Sequence, residues 1–374
     1  MTKPGDVGYH IRLKPDRERS LRLRHPWVFT GAVAEVEALA GAQPGDVGDI
    51  FGSDGTFLGR GTVQPDSQII ARVLSWEERP IDTAFFEERI ARAVSNRAAL
   101  IHPEQTTAAR LVNGEGDELA GLVVDRYGSY LAVQTLTAGM HRLREPWLDA
   151  LESTLRPAGI LERGEQARRE ILHEGGPAQA WLRGRGPGGP VEILEHGLRF
   201  LVDLEGGQKT GFYLDQRENR AHVRSLAAGR DTLNLFGYTG AFSVYAGRGG
   251  AERVVQIESS ATARELTREN WTRNGLPAER LEISGEDVFR YLRQETREFD
   301  LLVLDPPPFA KDRSSVERAL RAYKDLHLRS FARARPGALI WTFSCSQHIS
   351  ADLFQKVVFG AAVEISYSHD EGCH

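Results

Sequence analysis

An α/β chain that ends in a doubly wound parallel sheet is what this sequence predicts, and three observations predict it. From residue 231 onward short apolar runs alternate with amphipathic stretches, a glycine turn joins the first run to a helix, and acidic or sulfur-bearing residues recur where the runs stop. Ahead of that sheet the sequence predicts a small β-barrel and a middle α/β domain.

The organising unit lies at 231–258. Thr232–Phe236 reads as a short buried strand, Gly237-Tyr238-Thr239-Gly240 as a tight turn, Ala241–Arg248 as a helix, and Arg253–Ile257 as a second buried strand ending at Glu258. Gly237 and Gly240 permit positive φ and close approach of backbone to a ligand, and the helix start offers unpaired N–H groups. Glu258 follows the turn by about twenty residues, where an acid can accept hydrogen bonds from both hydroxyls of a ribose. An adenosine-type ligand at the carboxyl ends of the strands follows. The turn is not G-x-G-x-x-G, which speaks against a dinucleotide, and no Gly-x4-Gly-Lys-Ser/Thr occurs. S-adenosylmethionine, which has no phosphate to cradle, is the remaining common ligand. Such a turn also serves simply to connect elements, so the turn alone leaves binding open.

Composition narrows the class. A chain of 374 residues exceeds one ordinary core, which predicts two or three domains. With 41% hydrophobic and 26% charged residues it reads as a soluble globular protein, and no apolar run reaches membrane-spanning length. Met1–Asp6 leads into no signal-peptide core, so a cytoplasmic location is expected. Cys345 and Cys373 are the two cysteines, too few for a disulfide scaffold, and each is a reactive or a buried thiol. A net charge of −5 provides no global attraction to nucleic acid, so any such argument must be local.

In chain order, residues 8–76 read as short strands broken by turns at Gly41–Gly48, Gly52–Gly55 and Gly59–Gly61, with Ile50-Phe51, Thr56–Leu58 and Gln68–Leu74 as strands of a small barrel or sandwich. Arg12, Lys14, Arg17, Arg19, Arg22 and Arg24 precede His25-Pro26-Trp27-Val28-Phe29. Cations interleaved with apolar residues and ending in aromatics suit phosphate contacts plus a stacking platform, with Arg22, Arg24, His25 and Trp27 as RNA-binding candidates. A solvated basic edge strand with Trp27 in the core is the alternative.

Thr83–Leu100 has the apolar spacing of an amphipathic helix. Leu111–Tyr127 and Tyr130–Leu136 alternate strand and turn, Leu143–Leu155 reads as a helix, Gly159–Trp181 is charged and unassigned, and Arg183–Pro190 reads as a loop. The domains expected are therefore 1–78, 79–190 and 191–374. Val191–Asp203 should be a hairpin turning at Glu195-His196-Gly197, followed by a polar, glycine-rich run from Gly206 and a helix at Gln216–Leu226. After the organising unit come helix Ala261–Asn274, strand Leu281–Ser284, helix Val288–Glu295, strand Asp300–Leu304, helix Ser315–Arg333 and strand Ala338–Phe343. Five parallel strands should open on one crevice carrying Gly237–Gly240, Glu258, Asp287, Asp305 and Cys345. Singly, Glu258 and Asp287 could be helix caps and Cys345 a small filler, but a turn, three acids and a thiol at successive strand ends point to a site.

Gly207-Gln-Lys-Thr-Gly-Phe-Tyr-Leu-Asp-Gln-Arg217, Asn234–Gly240, Asp305-Pro-Pro-Pro-Phe-Ala-Lys311 and Ser344-Cys345-Ser346 together resemble the PUA-containing, S-adenosylmethionine-dependent cytosine-5 methyltransferases of large-subunit ribosomal RNA. Arg110–Arg126 is similar to that family's middle domain and residues 8–76 to its PUA domain. The resemblance implies a Rossmann-like methyltransferase domain behind a PUA-like β-barrel and a middle α/β domain, with 23S ribosomal RNA as partner and a homodimer as the family's habit. It implies that Cys345 adds to C6 of the cytosine and that Asp305 holds the pyrimidine edge. Glu258 would take the ribose hydroxyls, Asp287 the adenine amino group, and the backbone of Phe236, Gly237, Tyr238, Thr239 and Gly240 the methionine end, with Asn234, Lys209 and Asp305 as further cofactor candidates. No metal is implied.

Two departures stand out. Many RNA cytosine-5 methyltransferases carry a second cysteine in the Asp-Pro loop, where this chain has Pro306–Phe309, so the base that removes the C5 proton is not identified. The family also continues past its last helix with a closing β-hairpin, whereas Glu364–His374 has room for one short strand, which implies an incomplete sheet edge. Competing readings are methylation of an exocyclic amine by Asp305-Pro306-Pro307, an RNA-binding protein whose methyltransferase domain is inactive, and a metal site from Cys345, His348, His369, Cys373 and His374.

Overall fold

The computed structural model describes residues 6–98, 101–164, 179–207, 211–310 and 312–370. Lys209, Cys373 and His374 fall outside these. The chain divides into two compact units, one running to Leu198 and taking in Val202–Leu214, the other comprising Arg199–Leu201 and everything from Asp215.

The first unit opens with a six-stranded sheet ordered β2-β6-β5-β4-β1-β3, built from β1 Val7–Leu13, β2 Trp27–Phe29, β3 Val33–Ala38, β4 Val47–Phe51, β5 Phe57–Val63 and β6 Ile69–Ser75. Only the β1–β4 pair is parallel. Ile11, Leu13, Val28, Ile50, Val63 and Val73 close its core. Gly59–Gly61 is not a turn: it lies inside β5. A Cβ on Gly61 would stand 2.0 Å from the Arg72 carbonyl oxygen, so glycine is demanded there by close approach to β6.

Helix Thr83–Arg97 follows, started by Asp82, whose carboxylate accepts from the Phe85 N–H at 3.0 Å. It packs with helix Arg144–Leu155 on a sheet ordered β11-β10-β9-β8-β7, from β7 Ala108–Asn113, β8 Leu122–Tyr127, β9 Tyr130–Thr135, β10 Gly159–Arg163 and β11 Gln179–Gly184. Phe85, Phe86, Ile90, Trp147 and Leu151 form one core with Val47 and Leu74. Arg183, expected in a loop, lies within β11, where its guanidinium reaches Glu145, Asp149 and Glu152. Val191–Glu195 and Leu198–Val202 (β12 and β13) make the expected hairpin, and His196 and Gly197 at its tip take φ of 49° and 76°, the left-handed pair a tight hairpin turn requires.

The second unit is a five-stranded, fully parallel sheet ordered β16-β15-β14-β17-β18, where β14 is Asp231–Leu235, β15 Arg253–Ile257, β16 Leu281–Ser284, β17 Phe299–Leu304 and β18 Ala334–Thr342. Strand order reverses between β14 and β17, the place where an open α/β sheet leaves a crevice. Leu233, Leu235, Val255, Ile257, Leu302 and Leu304 form the core on one face, and Val254, Leu301 and Val303 are fully buried on the other, which is why Leu301–Leu304 reads as an unbroken apolar run. Helix Arg217–Leu226 leads into β14, and helices Ala241–Arg248, Ala261–Arg273, Val288–Gln294 and Val316–Phe331 connect the strands in turn. The last helix spans Ala351–Asp370, so Glu364–Asp370 is helical rather than a short strand. Ala361 is fully buried and Lys324 Nζ pairs with Glu364 at 2.6 Å, contacts that hold this stretch against Val316–Phe331.

Candidate active site

Register places every candidate strand end at one edge. Leu235 lies beside Ile257 and Leu304, Ile257 beside Ser284, and Leu304 beside Thr342. The residues that follow, Phe236–Gly240, Glu258, Gly285–Asp287, Asp305 and Phe343–Cys345, therefore emerge side by side.

The turn after β14 is strained. Phe236, Tyr238 and Gly240 have φ of 59°, 46° and 79°, so two residues with side chains sit in the left-handed region. Gly237 does not adopt positive φ. It is glycine because a Cβ there would lie 2.4 Å from the Gln256 side chain, and a Cβ on Gly240 would lie 2.4 Å from that of Thr267. The glycines thus serve the turn's packing on its own support as well as its exposed side.

That support is a buried polar chain. Asn234 Nδ2 donates to Ser243 Oγ at 2.9 Å, Ser243 donates to Gln256 Oε1 at 2.6 Å, and Gln256 Nε2 donates to Thr267 Oγ1 at 2.8 Å and to the Tyr238 carbonyl at 3.1 Å. Asn270 Nδ2 holds the Thr239 carbonyl at 2.9 Å. On the other side Glu258 Oε2 accepts from the Tyr238 N–H and Oε1 from the Ser260 N–H, each at 2.8 Å. Asn234 Oδ1 and Thr239 Oγ1 are buried without a hydrogen-bond partner. A strained turn held from both sides and an oriented, half-buried carboxylate fit a ligand that offers ribose hydroxyls and a charged amino-acid end.

Asp287 is exposed and caps helix Val288–Gln294, accepting from the Arg290 N–H at 3.0 Å. Asp305 is half-buried and accepts from Gln216 Nε2 at 3.4 Å, while Asn219 Nδ2 donates to Gln216 Oε1 at 2.6 Å. Cys345 is exposed, and its thiol donates to the Pro306 carbonyl at 3.4 Å, which brings the thiol to the Asp-Pro loop. The loop is fastened again where the Ala310 N–H donates to Ser346 Oγ at 3.3 Å.

Gln216, Gln256 and Tyr323 are site residues not predicted from the sequence. A glutamine at a wholly buried position of strand Arg253–Ile257 was a readable signal, since a buried amide must find partners. Tyr323 carried none, because a tyrosine inside an amphipathic helix reads as core.

In the first unit, Arg22, Arg24 and His25 are exposed; Arg22 pairs with Glu18 at 2.9 Å, and the Arg24 guanidinium lies 5.3 Å from the Trp76 ring centroid. Trp27 is only half-exposed, its indole N–H donating to Glu115 Oε1 at 3.0 Å. Phe29, 48% exposed and 6.3 Å from Trp27, offers the more open ring. Among the described residues no group of three or more His, Cys, Asp and Glu could hold a metal ion, and no helix is long and apolar enough to cross a membrane.

Residues 148–353 match the family model of S-adenosylmethionine-dependent methyltransferases and residues 11–76 that of PUA-like domains. A ribosomal RNA large subunit methyltransferase I of Shewanella denitrificans is 41% identical over 96% of this chain and 91% of its own. One from Klebsiella pneumoniae is 39% identical over 94% of this chain and 88% of its own. A solved structure described as a methyltransferase with SAH bound superposes with a TM-score of 0.78 at 23% identity, covering 94% of this chain and 90% of that one. A further structure from Streptococcus mutans gives 0.76 with the same identity and coverage.

Proposed function

The chain belongs to the S-adenosylmethionine-dependent methyltransferases, in the family of the ribosomal RNA large subunit methyltransferase I proteins, and on that premise we propose that it methylates C5 of a cytosine in large-subunit ribosomal RNA through a covalent adduct of Cys345 with C6. One observation carries the reading: an exposed thiol at the end of β18 lies 3.4 Å from the backbone of the loop that begins at Asp305.

Cytosine C5 is a poor nucleophile. Cys345, as thiolate, forms an Sγ–C6 bond while the C5–C6 π pair moves toward C5, and Asp305 hydrogen-bonds the pyrimidine edge and favours protonation at N3. When bound in the crevice held by Glu258 and the Phe236–Gly240 turn, S-adenosylmethionine would supply the electrophilic methyl on its sulfonium, with S-adenosylhomocysteine as the leaving group. After C5 has taken that methyl, a general base removes the C5 proton, and the electron pair restores the C5–C6 double bond as Sγ leaves. Pro306–Pro308 stiffen the loop that presents Asp305. Glu258 takes the ribose hydroxyls, Asp287 the adenine amino group through the carboxylate that also caps its helix, and the Phe236–Gly240 backbone the methionine end.

Because a duplex buries C6, the target must be flipped out or lie in an unstacked loop. Arg22, Arg24, His25 and Trp27, with Phe29 beside them, take the RNA, and residues 1–78 serve as the RNA-binding domain. Acting on ribosomal RNA, the protein works in the cytoplasm.

The test is transfer of labelled methyl to unmodified large-subunit ribosomal RNA by wild type and Cys345→Ala, with the product base read by mass. Wild type should yield 5-methylcytosine and the variant none, although it still binds S-adenosylmethionine. Transfer that survives in the variant, or a product methylated on an exocyclic amine, refutes the thiolate route.

A further inference from the structure

We propose that Tyr323 is a positioning residue for the Cys345 thiol, its buried phenol fastening the two serines that flank that cysteine. Tyr323 is fully buried in helix Val316–Phe331, and its hydroxyl lies 3.1 Å from Ser344 Oγ and 3.2 Å from Ser346 Oγ. Ser346 Oγ also accepts from the Ala310 N–H, and in each of the two phenol–serine contacts either hydroxyl can donate. A hydrogen-bonded chain therefore runs from the Asp305 loop, through Ser346 and Tyr323, to Ser344.

The same ring braces the cofactor side. Phe309, at the end of the Asp305-Pro-Pro-Pro run, packs on Tyr323 with centroids 4.7 Å apart and meets Phe236 of the strained turn at 6.4 Å. The helix itself is tied to the end of strand β18 by His327, whose Nε2 lies 2.8 Å from Thr342 Oγ1. One buried residue therefore touches the segment that carries the thiol and the loop that carries Asp305. Phenylalanine would fill the same volume and keep the Phe309 contact, so what the hydroxyl adds is the location of Ser344 and Ser346. Displacing a reacting group by about 1 Å costs on the order of a hundred-fold in rate, which is the scale at stake.

This inference rests on the reading that Cys345 attacks the base, and the test separates the two. With full-length protein, S-adenosylmethionine and an RNA substrate carrying 5-fluorocytosine, the wild type should form a stable protein–RNA adduct at Cys345. Tyr323→Phe should form it about ten- to a hundred-fold more slowly and lose kcat in the same proportion on normal RNA, with S-adenosylmethionine affinity unchanged and the melting temperature lowered by only a few degrees for the lost buried hydroxyl. Ser346→Ala should give a similar loss, and the double variant should be no worse than the poorer single one, the sign of a shared role. A Tyr323→Phe variant with wild-type adduct rate and kcat overturns the inference alone. A wild type that forms no adduct at Cys345 overturns the thiolate reading and this inference with it. If Tyr323→Phe does not fold, Ser344→Ala should show the same drop in kcat, and an unchanged kcat there is equally decisive against it.

Discussion

The backbone N–H of Tyr238 donates to Glu258 Oε2 at 2.8 Å, so the acid at the end of one strand holds the strained turn at the end of its neighbour. Its other oxygen is set by Ser260. A carboxylate has about four acceptor sites, so these two bonds fix its orientation and leave capacity for ribose hydroxyls.

Replacing Glu258 should therefore cost affinity twice over, through the ligand contact and through the turn. Glu258→Ala is expected to weaken S-adenosylmethionine binding by roughly ten- to a hundred-fold, the ~1.5–3 kcal/mol typical of hydrogen bonds to a charged group, and Glu258→Gln by less. Calorimetric titration reads this directly. A dissociation constant for Glu258→Ala within two-fold of wild type would remove the acid from the site.

Gly240 and Gly275 both have positive φ, 79° and 66°, but a Cβ meets Thr267 at 2.4 Å in the first case and open space in the second. Gly275→Ala should lose about 1 kcal/mol from backbone strain, and Gly240→Ala about 2–4 kcal/mol because overpacking is added. Denaturant melts of the two variants check the difference. Equal losses would mean that the turn can shift away from Thr267 without cost.

Aromatic exposure in the first unit separates two neighbours. Phe29→Ala should weaken binding to single-stranded RNA by ~1–3 kcal/mol at unchanged stability. Trp27→Ala should in addition destabilise the fold, since its indole N–H is engaged with Glu115. Arg24→Ala should lower the salt dependence of binding by about one counterion. Filter binding across a salt series, paired with melting curves, distinguishes these outcomes, and an unaltered affinity for Phe29→Ala would place the RNA elsewhere.

Burial pushes the His327 imidazole below its usual pKa, an effect only partly offset by its hydrogen bond with the Tyr323 carbonyl at 2.7 Å. Since a carbonyl can only accept, Nδ1 carries the proton and Nε2 accepts from Thr342. A depressed pKa means that the folded state resists protonation. The contribution is complete above the unfolded value near ~6.5 and is lost as pH falls from there toward the lower folded value. Wild-type stability should drop more steeply between about pH 7 and pH 5 than that of His327→Gln. Parallel slopes in urea titrations at several pH values would show that another group governs this range.

Much of this molecule was legible before any coordinates, and the reason is local. Apolar runs of strand length alternating with amphipathic helices require a parallel sheet, and a parallel sheet brings the carboxyl ends of its strands to one edge whatever the details. Glu258, Asp305, Cys345 and the turn at Gly237–Gly240 could thus be assigned to one crevice from consecutive residues alone. Contacts between residues distant in sequence were not legible. That Gly237 is shaped by Gln256, Gly61 by Arg72, and Trp27's exposure by Glu115 depends on which faces meet. Glu364–Asp370, short of strong helix formers, is helical where its helix packs on Val316–Phe331. Tyr323 looked like one more apolar position of a helix, and only the packing of that helix on the last strand brought its hydroxyl to Ser344 and Ser346. Periodicity and turn chemistry are written along the chain, whereas the partner of a buried polar group is chosen when separate layers close over it.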